Sequence, residues 1–341
     1  MKVVVAPDKF AGTLRAAEAA AAIAAGWSSV RPKDELVLVP MADGGEGTID
    51  VVEARLSRAR RHESEVLDAR GRPLAAAWLA LPDGRALVEA AQACGLSRLG
   101  AEERDPLTAT SFGVGQLLLA AISAGHRHVV VGLGGTATVD GGAGLAEALP
   151  EGAPRKEIVA AADVDAPLLG PRGAVAGFAR QKGAANADLP LLERRLEQLA
   201  DRAEESGGGP WRDLPGAGAA GGLGFGLAAF CGARIEPGAP LVGELVGLEG
   251  ALVGAALVLT GEGALDRQTD AGKVPAYVAG LARARGSSVF ALAGRIEDGA
   301  ETAYDRVAEL GPEGLLRPEE LLAARARELA LAFTAHSTIR P

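Results

Sequence analysis

The chain has 341 residues, 48% of them hydrophobic but only 4% aromatic, so Ala, Leu and Val must build its core, and the length favours two domains over one. Its 44 acidic and 35 basic residues give a net charge of −9 with no Lys/Arg run, which argues against nucleic acid or an anionic membrane as partner. Cys94 and Cys231 stand far apart without a CxxC, and no apolar run reaches the ~20 residues of a membrane helix, so a cytoplasmic protein without disulfides or a zinc knuckle is expected.

In chain order, "KVVVAP" reads as a buried strand, followed by a helix over about Leu14–Ala25. "ELVLVPM" is the next strand, followed by a helix from about Gly47 to Arg60. From His62 to Ala91 the pattern changes to short alternating strands with turns at Gly71–Pro73 and Asp83-Gly84, which predicts an antiparallel meander. A helix over about Phe112–Ala124, the strand "HVVVG" and a further unit ending in "IVAAADVD" come next. The stretch "ESGGGPWRDLPGAGAAGG" reads as a flexible segment. The strand and helix rhythm then resumes. "ALVLTGEG" precedes a helix after Pro275, "SVFALAG" precedes a helix near Ala300, and "RVAEL" precedes a last helix over about Pro318–Ala332. Continuous buried strands separated by helices imply a parallel, doubly wound sheet. The expected division is one α/β domain from both chain ends, 1–62 with 250–341, and an inserted α/β domain, 63–249, containing mixed or antiparallel strands.

Ligands of open α/β sheets bind beyond the carboxyl ends of the strands. Glycines and carboxylates recur there: Asp8, Lys9 and Thr13 after the first strand; Asp43, Gly44, Gly45 and Glu46 after the second; Gly134, Gly135, Thr136 and Asp140 after "HVVVG"; Glu262 and Asp266 after "ALVLT". Glycine turns let backbone N–H groups approach phosphates. Carboxylates hold Mg²⁺, and a further one accepts the proton of an attacking hydroxyl. Lys273, just before Pro275, supplies a cation for the transferring group, and Lys182 is a second candidate. The combination suits phosphoryl transfer from a nucleotide. Singly, each feature has a structural alternative, such as Asp43 capping the following helix. "GLGGTA" also fits the dinucleotide fingerprint GxGxxA, but without the expected acidic residue about twenty positions on.

Together, "APDKFAGTL", "PMADGGEGT", "GLGGTATVDGGAG", "DVDAPLLGPRGA", "QKGA", "LPGAGAAGGLG" and "LTGEGALDRQTDAGKVP" resemble the type I glycerate kinase family, in its order and over nearly the whole chain. The resemblance implies a flavodoxin-like domain carrying an inserted α/β domain, with the active site in the cleft between them. It implies ATP- and Mg²⁺-dependent phosphorylation of D-glycerate, usually to 2-phosphoglycerate. On that reading Lys273 stabilises the phosphoryl group, and Asp266 or Asp140 orients or deprotonates the hydroxyl. Asp43, Glu46 and Glu262 hold Mg²⁺. Asp8, Lys9, Thr13, Gly44, Gly45, Gly134, Gly135, Thr136, Lys182, Gly221 and Gly222 meet substrate or phosphate. The chain departs from the family pattern at Ala11, Val139 and Ala166, where lysine, asparagine and asparagine are common. Two other readings stay open: a nucleotide-binding protein without kinase activity, motivated by these departures, and a dinucleotide oxidoreductase, motivated by GxGxxA. A homodimer is also left open.

Overall fold

The computed structural model describes residues 1–10, 12–150, 157–206, 208–265 and 273–337. Its strands are β1 (Lys2–Pro7), β2 (Glu35–Leu38), β3 (Arg60–Leu67), β4 (Pro73–Ala80), β5 (Ala86–Glu89), β6 (His128–Gly132), β7 (Glu157–Ala162), β8 (Arg234–Pro237), β9 (Leu257–Leu265), β10 (Ser288–Ile296) and β11 (Arg306–Glu309). Its helices are α1 (Ala16–Ser28), α2 (Thr48–Arg55), α3 (Ala90–Cys94), α4 (Phe112–Ser123), α5 (Ala143–Ala148), α6 (Ala174–Phe178), α7 (Leu189–Glu205), α8 (Ala219–Cys231), α9 (Gly238–Leu245), α10 (Leu248–Leu252), α11 (Val274–Arg283) and α12 (Pro318–Ser337). Among the described residues, no helix is long and apolar enough to cross a membrane.

The contacts divide the chain into two units, Met1–Asp43 with Val242–Pro341, and Gly44–Leu241. In the first unit a wholly parallel sheet has the order β11-β10-β9-β1-β2. Counted along the unit, the order is 2-1-3-4-5, the doubly wound arrangement with its switch point between β1 and β9. Its strands are continuous apolar runs because helices cover them. Ile23 and Trp27 of α1 and Leu322 and Ala326 of α12 pack on Val3, Val5, Leu257, Leu259 and Phe290. Two extensions shape the carboxyl edge. β9 and β10 stay paired as far as Leu265 and Ile296, whereas β1 leaves β9 at Pro7, opposite Gly261. Glu262 and Gly263 therefore lie inside the strand, as the run "ALVLTGEG" predicted.

The second unit holds a mixed sheet, β3-β4-β5-β6-β7-β8, antiparallel from β3 to β5 and parallel from β5 to β8. The meander forms where its turn residues predicted, with Gly71 and Gly84 at φ +77 and +90. Its main core lies between α4 and the sheet, where Val114, Leu117 and Leu118 meet Val88, Val129, Val131 and Ile158.

Four expectations are corrected. Residues 44–62 pack in the second unit, so the seam falls at Asp43/Gly44 and not after position 62. Helix α2 is also short: it stops at Arg55, and β3 brings Arg61 back to bridge Asp50 and Glu53 of α2 at 2.5 and 2.7 Å. The stretch read as flexible is largely folded. Trp211–Asp213 form a 3-10 turn, Gly218 donates to the Ala166 carbonyl at 2.8 Å, and Gly216, Gly221 and Gly222 are buried. Near Ala300 there is a single 3-10 turn where a helix was expected.

Candidate functional site

In the first unit the carboxyl ends of β1, β2 and β9 bring together Asp8, Asp43 and Glu262. Thr260 pins β9 to β1 by donating its hydroxyl to the Ala6 carbonyl at 2.8 Å, and the Asp8 N–H donates to the Gly261 carbonyl at 2.8 Å. Asp8 is buried, and its carboxylate accepts the Lys9 N–H at 2.6 Å. Burial pushes the Asp8 carboxyl well above the usual range, Asp43 and Glu262 add repulsion, and Lys9 offsets part of it. Lys9 Nζ lies 3.8 Å from Asp43 Oδ1. Thr13 donates its hydroxyl to the Phe10 carbonyl at 2.8 Å within its own turn.

Carboxylate oxygens gathered at these strand ends are the donor type Mg²⁺ takes, so the residues present fit that ion. Among the described residues no three acidic, His or Cys side chains converge tightly enough for a closed metal cage. Mg²⁺ does not need one, because it takes one or two carboxylates and fills its shell with water and phosphate oxygens. Glu46 belongs to the second unit, where the Ser97 hydroxyl donates to it at 2.7 Å. Asp43 is not the cap of α2; Gly47 holds that position. Lys273 is the N-cap of α11, at the end of a helix that favours anions, and Pro275 takes the second helical position, not the first. Asp266 and Ala11 lie outside the described residues.

In the second unit the glycine-rich loop after β6 is packed on the loop that opens α2. A Cβ on Gly134 would stand 2.5 Å from Gly45 Cα, so only glycine permits this approach. Gly44 and Gly135 are at φ +88 and +77, and Gly135 lies beside Glu46. From the other side the first turn of α8, which leaves helical geometry at Ala220, Gly221 and Gly222, leans on the same loop. Gly221, at φ +71, has no room for a side chain, because a Cβ would stand 1.9 Å from the Thr138 carbonyl oxygen. Gly222 abuts Gly141 in the same way.

Lys182 reaches this loop from a 3-10 turn, Arg180–Lys182. Its Nζ donates to Thr136 Oγ1 at 3.1 Å and to the Thr138 carbonyl at 2.8 Å. It is 4% exposed and has no ion-pair partner among the described residues. Burial pushes its ammonium down to about 8, against weaker opposing pulls from Cys94 and Asp140. Cys94 itself is buried, and its thiol is pushed up to about 12, so it is inert packing.

Asp140 is held by four hydrogen bonds. Its carboxylate accepts the Ser111 N–H and hydroxyl at 2.8 Å each, and the Gly142 and Gly144 N–H groups at 3.1 and 3.2 Å. Ser111 is the N-cap of α4, and its oxygen also accepts the Leu145 N–H at 3.0 Å. Asp140 thus ties the β6 loop to the starts of α4 and α5.

Glu89 escaped the sequence reading. It ends β5, is 1% exposed, and its carboxylate accepts the backbone N–H groups of Gly47 and Ile49 at the start of α2. It was detectable by the same rule that found the others, since it is an acid at a strand's carboxyl end. The departures Val139 and Ala166 are both buried, and Val139 packs in an apolar cluster with Leu168 and Leu196. "GLGGTA" opens no helix, because residues 133–142 separate β6 from α5, so the dinucleotide fingerprint lacks its structural context.

Acidic strand ends in one unit and a glycine cradle around a buried lysine in the other define a two-unit α/β protein equipped for small charged ligands. Comparison with known proteins narrows this class. The chain matches the model of the Glycerate kinase family over residues 3–152 and 150–330, and it belongs to that family. It is 38% identical to the glycerate kinase of Bacillus subtilis over 336 residues, covering 89% of this chain and 87% of that one. It is 38% identical to glycerate 2-kinase of Escherichia coli K12, covering 87% and 86%. A solved structure from Salmonella typhimurium LT2, assigned provisionally as glycerate kinase 2, superposes with a TM-score of 0.84 at 34% identity over 99% of this chain and 100% of that one.

Proposed function

We propose that the protein transfers the γ-phosphoryl group of ATP to the 2-hydroxyl of D-glycerate in a Mg²⁺-dependent reaction. The family match along nearly the whole chain carries this reading. The two sets of groups supply the chemistry it needs. In the first unit Asp43 and Glu262 would hold Mg²⁺. Bound there, the ion would neutralise charge on the terminal phosphates. Lys273, at the positive end of α11, stabilises the phosphoryl group in flight. Lys9 and Asp8 meet the substrate or phosphate at the end of β1. In the second unit Lys182, Thr136 and the backbone of Gly134 and Gly135 receive an anion, for which the substrate carboxylate is the natural choice. Asp140 positions this loop. Asp266 or Asp140 takes the hydroxyl proton.

The test is a coupled assay of ADP release with D-glycerate, ATP and Mg²⁺, with phosphorus NMR of the product. Glycerate-dependent ADP and a phosphate on C2 are expected. ADP release indifferent to glycerate would overturn the substrate, and a phosphate on C3 would overturn the product.

A further inference from the structure

We infer that a hollow at the carboxyl edge of the first unit's sheet binds the nucleoside half of the nucleotide. This rests on the reading that a nucleotide is a substrate, and it assigns a site that the motifs do not contain. The hollow has a volume of about 470 Å³. That lies within the range of sites for drug-sized ligands. It exists because β9 and β10 run four residues past the point where β1 turns away, leaving one flank of β9 open. Phe10 comes from the β1 loop, Gly263 from β9, Gly294 and Arg295 from β10, and Leu310 and Leu315 from the segment after β11.

Three features select a nucleoside over a small acid. First, the lining joins glycine backbone and the apolar side chains of Phe10 and Leu310, at 2% and 4% exposure, to polar groups on Thr13, Arg295 and Glu309. Such a surface suits a nucleoside, whose base has a flat apolar face and whose edges and ribose carry hydrogen-bonding groups. Second, Leu315 is 76% exposed at its rim, an apolar side chain left in water unless something covers it. Third, the hollow is continuous along the chain with the acidic cluster. Gly263 follows Glu262 directly, and Phe10 follows Asp8 and Lys9. A base seated here would direct its phosphates along those two segments towards the carboxylates that suit Mg²⁺. The turn that builds the far wall needs glycine. Gly311 is at φ +76, ψ −169, a region essentially closed to other residues.

Two variants test the assignment. Ala264, half-buried in the wall, becomes Phe to fill the hollow, and exposed Leu315 becomes Asp, which leaves the fold alone. Binding of a fluorescent ADP analogue and competition by inorganic tripolyphosphate are measured, together with KM for ATP and for D-glycerate. In Ala264→Phe the analogue should bind at least about tenfold more weakly and KM for ATP should rise, with tripolyphosphate inhibition and KM for glycerate unchanged. Leu315→Asp should weaken the analogue about threefold. Unaltered analogue affinity in both variants overturns the assignment, whether or not the enzyme turns over glycerate. Wild type that binds the analogue through this hollow but never phosphorylates glycerate overturns the kinase reading alone. Wild type that does not bind the analogue overturns both.

Discussion

Replacing Lys182 by Met keeps the length of the side chain and removes its charge. In the wild type the folded protein holds this ammonium in a buried site where its pKa falls from 10.5 to about 8. At about 1.4 kcal/mol for each pH unit, that interval is worth about 3 kcal/mol. The sign follows from the protons bound. Below pH 8 the lysine is charged in both states, and the folded state bears the full cost. Between 8 and 10.5 the folded lysine is neutral while the unfolded one is still charged, so folding releases a proton and stability rises with pH. Against this cost stand the bonds to Thr136 and the Thr138 carbonyl, hydrogen bonds from a charged donor worth about 1.5–3 kcal/mol each. Near pH 7 the two effects nearly offset, and Lys182→Met should lie within about 2 kcal/mol of wild type. From pH 7 to 10 the wild type should gain about 2–3 kcal/mol on the variant. The buried Cys94, pushed up to about 12, titrates in both proteins and drops out of the comparison. Urea unfolding at pH 7, 8, 9 and 10 measures the gap. Parallel stability curves, or a gap that moves the other way, would refute the argument. Saturating D-glycerate should flatten the wild-type trend if its carboxylate sits on Lys182, because a bound anion restores the charge.

Other residues give shorter tests. Lys273→Ala should lower kcat by roughly 10²–10³ with the fold intact, the usual loss for one transition-state donor, and near-normal kcat would remove it from the reaction. Asp43→Asn should raise the Mg²⁺ concentration for half-maximal activity about tenfold, and an unchanged Mg²⁺ titration would free Asp43 of its role. Glu89→Ala leaves the Gly47 and Ile49 N–H groups without their acceptor, at about 1–3 kcal/mol each. Its Tm should fall by about 6 °C or more, with Glu89→Gln in between, and an unchanged Tm in Glu89→Ala would show that water replaces the carboxylate. Gly221→Ala should fail to fold its unit or fold it only at markedly lower temperature, since relief would require moving the Thr138 carbonyl that Lys182 holds.

Much of this architecture could be read from residue order. The runs "KVVVAP", "ALVLT" and "SVFALAG" are apolar throughout because both faces of a parallel sheet are covered, and no other element gives that pattern at that length. The Asp83-Gly84 turn marked the meander for an equally local reason. The misplaced seam had a tertiary cause. Helix α2 is short and weakly amphipathic, so its own residues do not say which sheet it joins. That is decided by Arg61 on the following strand and by Glu89, 40 positions beyond Ile49. The glycines from 216 to 222 looked like a flexible tract for a related reason. Glycine without a partner is loose, but glycine against a carbonyl at 1.9 Å from an imagined Cβ is tight, and sequence does not display the partner. At the candidate site, acids at strand ends were visible as a group, whereas Asp140 needed its four donors in view before it could be understood as a brace.

Each unit, taken by itself, carries a charge that its own residues leave partly unanswered. Among the described residues, Asp8 is buried near the carboxylates of Asp43 and Glu262 and the ammonium of Lys9, and Lys182 is buried with a hydroxyl and a carbonyl receiving its protons. Burying either group costs free energy that apolar neighbours do not return. Stability alone would replace Lys182 with Met or Leu and Asp8 with Asn. A cation at the first and an anion at the second would each lower that cost, and both would gain affinity from a site whose desolvation is already complete in the free protein. The same reasoning separates these residues from the surface ion pairs. Arg317 with Glu320, or Arg325 with Glu328, is matched, solvated and exchangeable, and its loss should leave ligand binding unmoved. A buried charge that its neighbours offset only in part is therefore the better marker of where ligands act in this chain. By that criterion Lys182 and Asp8 rank above Asp140, whose carboxylate is already fully engaged.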